Sequence, residues 1–538
     1  MNTGDEFEKI VTRKTGMGWE AAIDEMQKRR EAARKMGGKE RVDRQHSFNK
    51  LTVRERIEKL ADKGTFFEAG SLMGNSKYDD HGDIVDFTPS AFVTGLAEID
   101  GRSVTVGGED FTVSGGSPGG VRKQRSFFAQ PMSIQYGVPM IQLCDGAGAR
   151  GDTIAQKRKT EMENAAKWRW WNVEVMNKVP VVSAILGSAA GHVAGDAMFS
   201  HFSVMVKGSG QIFPGGPPVV ERAYGYPITK EELGGTWLHC RDTGVIDNEA
   251  VDEADCFRQV RQFLSYMPDN INELPPHKDM GDDPNRREEK LLNIVPIERL
   301  KNYNMYDVIR LIVDKGEYFE MRKYYGAGVI TAFARMDGFV VGILASNPMV
   351  EAGAIGAKSA LKMARFIDLC NFFNIPLILL ADTPGFNIGI DSEKEGTVRC
   401  GVHAIMSAQE AGVPKVHIGV RKAYGMGATA FNSLGGMLNL QLRLGWPTGE
   451  WGAIPIEGGV AATFRRDIAS SEDPEKRRKE IEARLVALRS PLRAAEQGGI
   501  MDIIDPRDTR PIVCKFIRLA QPALKRHAAG PKRTVRPI

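Results

Sequence analysis

The sequence lacks long apolar runs, and it lacks a strong charge of either sign. The longest clear apolar run among its 538 residues is Ile375–Ala381, which has seven residues, whereas a membrane-spanning helix needs roughly 20. Lys and Arg together number 72 against 68 Asp and Glu, and a nucleic-acid-binding protein concentrates basic residues on one face. These observations favour neither a membrane nor a nucleic-acid partner. The first residues carry acids and no apolar segment, which predicts no secretory or transit peptide.

Motifs for metal and ATP sites are also missing. The six cysteines form no C-x-x-C pair and the nine histidines no H-x-x-x-H spacing, so no metal site is predicted. Cysteines without such pairs favour a reducing compartment, and we expect a cytoplasmic protein. G-x-x-x-x-G-K-[ST] does not occur, so the sequence indicates no P-loop.

The sequence is otherwise that of a globular protein, with 42% hydrophobic and 26% charged residues. Residues 18–62 carry apolar residues every three to four positions, which predicts an arm of amphipathic helices whose simplest role is packing. Residues 266–284 are rich in Pro, Gly and acids and predict a linker. We therefore expect two domains, at residues 1–275 and 285–538.

The two halves repeat each other. Asp62–Glu68 returns as Asp314–Glu320, and two further motifs return 237 residues later. These are Ala97–Gly101 with Ala334–Gly338, and Gly137–Gly148 with Asn374–Gly385. Because the order is kept and the offset is nearly constant, we infer the duplication of a domain of about 240 residues.

Each half alternates short apolar strands with helices. Val340–Ala345, Pro376–Ala381 and Val416–Val420 have the composition of strands, and Ala357–Phe372 has the apolar spacing of a helix. This alternation predicts α/β domains whose ligands bind where the strands end.

Glycine-rich loops follow corresponding strands of the two halves. Val181–Leu186 runs into Gly187–Gly195, and Val416–Val420 runs into Arg421–Ala428. Glycine lets the backbone approach a ligand, and paired backbone N–H groups can stabilise an anionic oxygen. One such loop in each half suggests two anionic oxygens in one reaction, although tight-turn packing also explains each loop taken alone.

Motifs along residues 30–525 resemble the carboxyltransferase (beta) subunits of biotin-dependent acyl-CoA carboxylases of the propionyl-CoA and methylcrotonyl-CoA type. The resemblance rests on segments that occur in the order of that family. They are Glu109–Ser117, Asp145–Arg150, Phe202–Lys207, Glu231–Gly235, Tyr303–Asp307, Phe333–Gly338, Val413–Val416, Arg421–Gly425 and Gly445–Thr448.

The resemblance implies a fold, an assembly and partners. It implies two tandem crotonase-like ββα-superhelix domains, with acyl-CoA on the N-terminal and carboxybiotin on the C-terminal domain. It further implies a hexamer within an α6β6-type complex, with the active site shared between subunits. Biotin would be carried by a separate biotin carboxylase/biotin carrier partner, since this family's beta chains have neither a biotin nor an ATP-using domain.

The resemblance also implies a mechanism and its residues. Carboxybiotin supplies CO2 and then the base, so the chain must stabilise a thioester enolate and a biotin ureido anion in two oxyanion holes. By position, Gly191 and His192 correspond to the first hole, and Met426 and Gly427 to the second. Cofactor-binding positions and a substrate-pocket position carry over in the same way. They are Gly148, Ala149, Arg150, Gly385, Phe386, Tyr424 and Gly425 for the cofactors, and Thr429 for the pocket.

Two departures leave the acyl group open. The family's Ala-Gly-Gly-Ala motif reads Ala190–Val193 here, with His192 as its third residue, and its Tyr-Gly-Gly-Ala-Tyr-Asp motif reads Tyr424–Thr429. Thr429 thus replaces an acidic residue of the acyl pocket. Three functions remain open: a carboxylase subunit, the same subunit of a biotin-dependent acyl-CoA decarboxylase, and a non-catalytic acyl-CoA-binding scaffold.

Overall fold

A computed structural model of the chain describes residues 19–80, 83–117, 120–148, 170–298, 301–431, 440–488 and 490–536. The chain forms two compact units. Unit 1 comprises Met1–His239 and Glu249–Arg261, and unit 2 comprises Cys240–Asn248 and Gln262–Ile538. Each unit is built on one large sheet, in which eight strands are described. The roles predicted for residues 1–275 and 285–538 stay predictions.

The predicted arm consists of three helices: α1 (Trp19–Arg34), α2 (Lys39–Ser47) and α3 (Val53–Leu60). Helix α3 begins at a capping box, in which the Thr52 hydroxyl accepts from the Glu55 N–H and the Glu55 carboxylate accepts from the Thr52 N–H. Its inner face buries Val53, Ile57 and Leu60. The arm is thus packed onto unit 1 through an amphipathic face, as its spacing predicts.

The sheet of unit 1 has the order β1-β4-β5-β6-β7-β8-β10, with β9 paired to the far end of β7. A separate two-stranded sheet pairs β2 with β3. The strands are β1 (Phe67–Glu68), β2 (Gly74–Tyr78), β3 (Ile84–Pro89), β4 (Phe92–Ile99), β5 (Arg102–Glu109), β6 (Met140–Gly146), β7 (Val181–Ala190), β8 (Phe202–Val206), β9 (Gln211–Phe213) and β10 (Asn248–Ala250). The helices that follow the arm are α4 (Gly120–Tyr136), α5 (His192–Ala197), α6 (Pro217–Tyr224), α7 (Lys230–Gly234) and α8 (Glu253–Tyr266).

The sheet of unit 2 has the same order, β11-β12-β13-β14-β15-β16-β18, with β17 paired to β15. Its strands are β11 (Tyr318–Met321), β12 (Val329–Met336), β13 (Phe339–Ser346), β14 (Leu377–Thr383), β15 (Lys415–Tyr424), β16 (Gln441–Gly445), β17 (Glu450–Gly452) and β18 (Asp502–Ile503). Its helices are α9 (Leu291–Ile294), α10 (Met305–Ile312), α11 (Ala357–Phe372), α12 (Ile390–Lys394), α13 (Thr397–Glu410), α14 (Gly425–Phe431), α15 (Ile456–Thr463), α16 (Arg465–Ala469), α17 (Pro474–Leu488), α18 (Pro491–Glu496) and α19 (Thr509–Ala528).

The repeat extends to the register of the strands. Thr105 lies opposite Met140 between β5 and β6, and Gly342 lies opposite Leu377 between β13 and β14, so that both partners are 237 residues apart. Both units also show a register shift at the same place, between Cys144 and Gly146 and between Ala381 and Thr383. The two predicted α/β domains are confirmed.

Two strands are longer than their apolar runs predict. Strand β7 continues from Leu186 to Ala190, because Ser188–Ala190 pairs with β9. Strand β15 continues in the same way to Tyr424, where it pairs with β17. Extra partner strands therefore extend both strands through segments that the glycines and polar side chains had indicated as loops.

The core of unit 2 explains why its strands are so apolar. Strand β14 is buried along its whole length, as expected for a parallel strand covered on both faces. One apolar cluster joins Ile309 of α10, Ile343 of β13, Ile418 of β15 and Ile517 of α19. This packed body holds the carboxyl ends of β14 and β15, where the predicted site residues lie. Within the described ranges, no helix is both long and apolar enough to cross a membrane.

Candidate active site

In unit 1, the predicted thioester-hole residues lie at a sharp bend between β7 and α5. Gly191 follows the last residue of β7 with φ 59° and ψ −122°, a conformation that favours glycine. Helix α5 begins at the next residue, His192. The Gly191 N–H donates to the Phe213 carbonyl of β9 at 3.2 Å. The bend is therefore held by the neighbouring strand at the point where α5 begins.

In unit 2, an equivalent bend joins β15 to α14. Gly425 has φ 60° and follows Tyr424, the last residue of β15. The strands β7 and β15 are 234 residues apart at both ends, so Gly425 corresponds to Gly191, and Met426 to His192. Gly427 lies one residue further along than this correspondence requires. Met426 is 55% exposed, whereas Gly427 is buried.

A second loop approaches each bend from the neighbouring strand. Gly148 follows β6 with φ 79°, and a Cβ added there would lie 2.7 Å from the Ala190 carbonyl oxygen. Gly385 follows β14 with φ 121°, and its added Cβ would lie 3.4 Å from the Tyr424 carbonyl oxygen. The repeat therefore places one glycine loop against each strand end, at the carboxyl edge where ligands of such sheets bind.

Unit 2 brings four of the predicted site residues together: Gly427 of the second oxyanion hole, and Gly385, Phe386 and Tyr424 of the cofactor-binding set. A Cβ added to Gly427 would lie 2.7 Å from the carbonyl carbon of Gly385 and 2.9 Å from the amide nitrogen of Phe386. Helix α14 thus rests directly on the loop that follows β14. The Tyr424 side chain is buried and donates its hydroxyl hydrogen to the Glu450 carboxylate at 2.5 Å. Tyr424 therefore faces the loop through its backbone.

Three predicted positions remain: Thr429 of the substrate pocket, and Ala149 and Arg150 of the cofactor-binding set. Thr429 is half-buried on α14, three residues after Met426, so the two share a face of the helix. Ala149 and Arg150 lie outside the described residues.

Two buried carboxylates, which sequence reasoning did not assign to the site, lie beneath these loops. Asp145 of β6 accepts from the Lys50 ammonium at 2.6 Å and from Arg56 Nη1 at 2.9 Å. Burial opposes its ionisation, but Arg56 and Lys50 outweigh burial and lower the pKa of Asp145. Its repeat counterpart is Asp382 of β14, which accepts from Arg421 Nε at 3.1 Å. Both Asp residues belong to repeated motifs, and that repetition was the available signal.

The cations that neutralise these carboxylates come from different places. Arg421 of β15 corresponds to Gly187 of β7, at the offset of 234. A Cβ added to Gly187 would lie 1.9 Å from Asp145 Oδ1 and 2.5 Å from the Lys50 ammonium. Glycine thus leaves room in unit 1 for cations that the arm supplies, whereas unit 2 carries its own cation on the strand.

Comparison with known proteins identifies the class. Residues 44–534 match the carboxyl transferase domain family, and the chain belongs to this family. The carboxyltransferase subunit of propionyl-CoA carboxylase from Haloferax mediterranei is 34% identical over 92% of this chain and 95% of its own. The methylmalonyl-CoA decarboxylase subunit alpha of Veillonella parvula is 35% identical over 92% of this chain and 95% of its own.

A solved relative confirms the fold. The crystal structure of transcarboxylase 12S, described as a hexamer assembly with methylmalonyl-coenzyme A and methylmalonic acid bound, is 32% identical. It superposes with a TM-score of 0.86 over 97% of each chain. The predicted carboxyltransferase family and the tandem crotonase-like fold are thereby confirmed. The residue roles predicted at the two bends stay predictions.

Proposed function

We propose that this chain is the carboxyltransferase subunit that moves a carboxyl group between biotin on a partner carrier protein and the α or vinylogous carbon of an acyl-CoA. It acts as a homo-oligomer, most simply the hexamer described for transcarboxylase 12S, joined to biotin carboxylase/biotin carrier subunits in an α6β6-type complex. Its compartment is the cytoplasm, in keeping with cysteines that form no C-x-x-C pair.

The observation that carries the proposal is the duplicated bend. Gly191 and Gly425 have φ angles of 59° and 60°, and each joins the longest strand of its sheet to a helix. The first N–H groups of a helix have no intrahelical acceptor, so such a bend presents donors toward an oxygen placed at the strand end. Two equivalent bends suit a reaction in which two oxygens become anionic.

Unit 1 supplies the thioester hole at Gly191 and His192. The Gly191 N–H donates to the Phe213 carbonyl, so Gly191 acts mainly by setting the bend at which α5 begins, and we assign the thioester oxygen to this turn. The loop at Gly148 approaches this bend and closes the site from the neighbouring strand. These groups orient the thioester and stabilise negative charge on its oxygen, without a titratable side chain.

Unit 2 supplies the biotin hole at Met426 and Gly427. The loop at Gly385 and Phe386 lies so close to Gly427 that a side chain there would displace it, and this close packing fixes the backbone to which we assign the ureido ring of biotin. When bound, carboxybiotin supplies the carboxyl group and afterwards the base. The amides of Met426 and Gly427 hold the ureido oxygen, and the loop at Gly385 excludes water beside it.

The second candidate function is that of the carboxyltransferase subunit of a biotin-dependent acyl-CoA decarboxylase, and one observation favours it. The Veillonella parvula relative, a methylmalonyl-CoA decarboxylase subunit, is as similar to this chain as the propionyl-CoA carboxylase subunit is. The same two holes serve the reaction in either direction, so the partner that carries biotin selects the direction. A non-catalytic scaffold does not require both bends to be kept.

Reconstitution tests the proposal. The chain alone should carboxylate no acyl-CoA from bicarbonate and ATP, and adding a biotin carboxylase with its biotinylated carrier should start the reaction. A panel of acetyl-, propionyl- and methylcrotonyl-CoA then identifies the acyl group. ATP-dependent carboxylation by the pure chain, or no carboxyl transfer in either direction with any carrier and thioester, would contradict the proposal.

A further inference from the structure

A turn that comes after β13 in unit 2 lies against the loop that follows β14. The turn comprises Glu351–Gly353, and the N–H of Ile355 just beyond it donates to the Gly385 carbonyl at 3.0 Å. The side-chain amide of Asn387 donates to the Glu351 carboxylate at 2.8 Å. The loop to which we assign biotin is therefore held by this turn as well as by α14.

The turn has a backbone conformation that suits glycine, but two of its residues carry side chains. Glu351 and Ala352 have φ angles of 48° and 53°, in the left-handed region that a Cβ disfavours. The equivalent turn of unit 1, Ser114–Gly116, has glycine at the position that corresponds to Ala352 at the offset of 237. Unit 2 therefore keeps a strained turn, and strain of this kind persists only where the surroundings hold it.

In unit 1 a backbone hydrogen bond joins the turn to the neighbouring loop. The Ala147 N–H donates to the Gly115 carbonyl at 2.9 Å. The residues at the same offset in unit 2 are Pro384 and Ala352, and proline has no N–H to donate. The bond that fastens the turn in unit 1 is thus impossible in unit 2, where the turn is the more strained of the two.

The Lys422 side chain takes the place of this bond. Its ammonium donates to the Ala352 carbonyl, the acceptor that Pro384 leaves without a backbone donor, at 3.1 Å. Lys422 lies on β15, three residues before the bend at Gly425, and its side chain is 13% exposed. Its counterpart in unit 1, Ser188, lies at the offset of 234 and donates to a different strand. The lysine and the proline therefore occur together in unit 2, and unit 1 has neither at the equivalent positions.

The Asp382 carboxylate restricts the position of Lys422. The Lys422 N–H donates to Asp382 Oδ1 at 3.1 Å, and the ammonium lies 3.8 Å from the same oxygen. Asp382 is fully buried and precedes Gly385 by three residues. Because Lys422 is held both at its backbone and near its ammonium, few orientations are open to it, and the position of β15 is passed on to the turn.

We propose that Lys422 is a positioning residue of the biotin hole. Its ammonium replaces the backbone hydrogen bond that Pro384 removes, holds the strained turn in place, and through the turn holds the loop at Gly385. Lys422 thereby joins the strand that carries the bend at Gly425 to the turn that supports the loop. The inference rests on the proposed function in so far as this loop binds biotin, whereas the contact between Lys422 and the turn does not depend on it.

Kinetics of the reconstituted complex test this role. Lys422→Met should lower kcat/KM for the biotinylated carrier by roughly tenfold, because the loop is displaced rather than removed, and the KM for acyl-CoA should stay unchanged. Lys422→Arg keeps a donor and should retain more activity than Lys422→Met. Lys479→Met, which removes a 70% exposed ammonium of α17, is the matched control and should behave like the parent. Parental kinetics in Lys422→Met would refute the proposal.

Two second substitutions separate positioning from direct contact with the substrate. Pro384→Ala supplies an N–H where Ala147 has one, and Ala352→Gly removes the strain at φ 53°. Each should restore most of the activity that Lys422→Met loses, because the ammonium is needed only to hold the turn. If neither double variant recovers activity, the ammonium acts on the substrate itself and the positioning role is wrong.

Hydrogen exchange followed by mass spectrometry tests the contact without any activity. The Ile355 and Asn387 amides donate to carbonyls across the turn and the loop, so peptides that contain them should exchange faster in Lys422→Met. A peptide that contains the Ala147 amide of unit 1 should exchange as in the parent. Unchanged exchange at Ile355 and Asn387 would contradict the proposal. If exchange rises there while the parent transfers no carboxyl group with any carrier, the proposed function fails and the role of Lys422 in holding the turn remains.

Discussion

Adding a single methyl group at Gly427 should disable the biotin hole without affecting unit 1. In Gly427→Ala the new Cβ would lie 2.7 Å from the Gly385 carbonyl carbon, 2.8 Å from its Cα and 2.9 Å from the Phe386 amide nitrogen. All three are backbone atoms, so no side chain can rotate away. Reaching ordinary contact at 3.4 Å requires a displacement of about 0.7 Å between α14 and the loop.

The sign of the change in the free energy of unfolding of Gly427→Ala shows whether the added methyl group clashes with the loop. Alanine in a helix is more stable than glycine by about 1 kcal/mol, so without a clash the variant would be more stable than the parent. Overpacking costs typically about 1–3 kcal/mol, and we expect it to prevail. Gly458→Ala in α15, where nothing lies within 4 Å of the added Cβ, is the matched control and should stabilise the protein.

The effect on turnover follows from the displaced donors. Losing one oxyanion-hole donor costs on the order of 10²–10³ in turnover, and a shift below 1 Å should cost about 10–10². The reconstituted carboxylation assay should show this fall with the biotinylated carrier as the varied substrate, while calorimetric CoA binding stays unchanged. Met426→Ala, which keeps the amide, should retain most activity. A Gly427→Ala oligomer that is no less stable than the parent and equally active would refute the reasoning.

Three further predictions concern the bend of unit 1, pH and the buried charges. Gly191→Val should lower turnover by about 10²-fold, because a β-branched residue is strained at φ 59°; unaltered kinetics in the same oligomer would exclude the thioester hole. Burial lowers the pKa of His417 to about 4, and its Nδ1 donates to a backbone carbonyl. The unfolded chain therefore binds a proton between pH 6.5 and 4 that the folded chain does not, so stability in urea should fall by up to about 3 kcal/mol as pH drops through that window. His417→Gln should flatten this pH dependence; an unaltered slope would assign it to other groups. Arg56→Met should destabilise unit 1 by about 3–5 kcal/mol, since it leaves Asp145 and Glu253 without their shared cation; adding Glu253→Leu should recover part of the loss, and a double variant no better than the single one would contradict this.

Assembly is the last prediction. Six copies of the 59.2 kDa chain should elute as a particle of about 355 kDa. Light scattering at micromolar concentration checks this, and a fully active monomer would contradict the shared-site proposal.

Asp145 and Asp382 occupy equivalent positions in the two units but are neutralised by cations from different parts of the chain. Both residues lie at the carboxyl end of a parallel strand, at the same register shift. In unit 1 the cations are Lys50 and Arg56 of the arm. In unit 2 Arg421 supplies the cation from the strand. The two units therefore differ at one strand position: Gly187 leaves space for Lys50 beside Asp145, whereas Arg421 itself bonds Asp382.

Much of the architecture was predictable from local patterns. The apolar run at Pro376–Ala381 indicated β14, and the spacing in Ala357–Phe372 indicated a helix with the bounds of α11. Repeated motifs predicted two equivalent sheets. These features depend on the residues nearest in sequence and on a backbone with few allowed conformations, so they can be recognised without the rest of the chain.

The sequence by itself determined the two repeated α/β units, the glycines that allow each bend, and the family. Only the tertiary structure decided that β7 and β15 extend along β9 and β17, that Asp145 meets an arginine 89 residues earlier, and that the Lys422 ammonium reaches a carbonyl 70 residues earlier. The physical reason is the separation along the sequence between the residues that interact. A bend follows from local backbone sterics, whereas an ion pair or a side-chain hydrogen bond depends on where the whole fold brings distant segments, which no local pattern encodes.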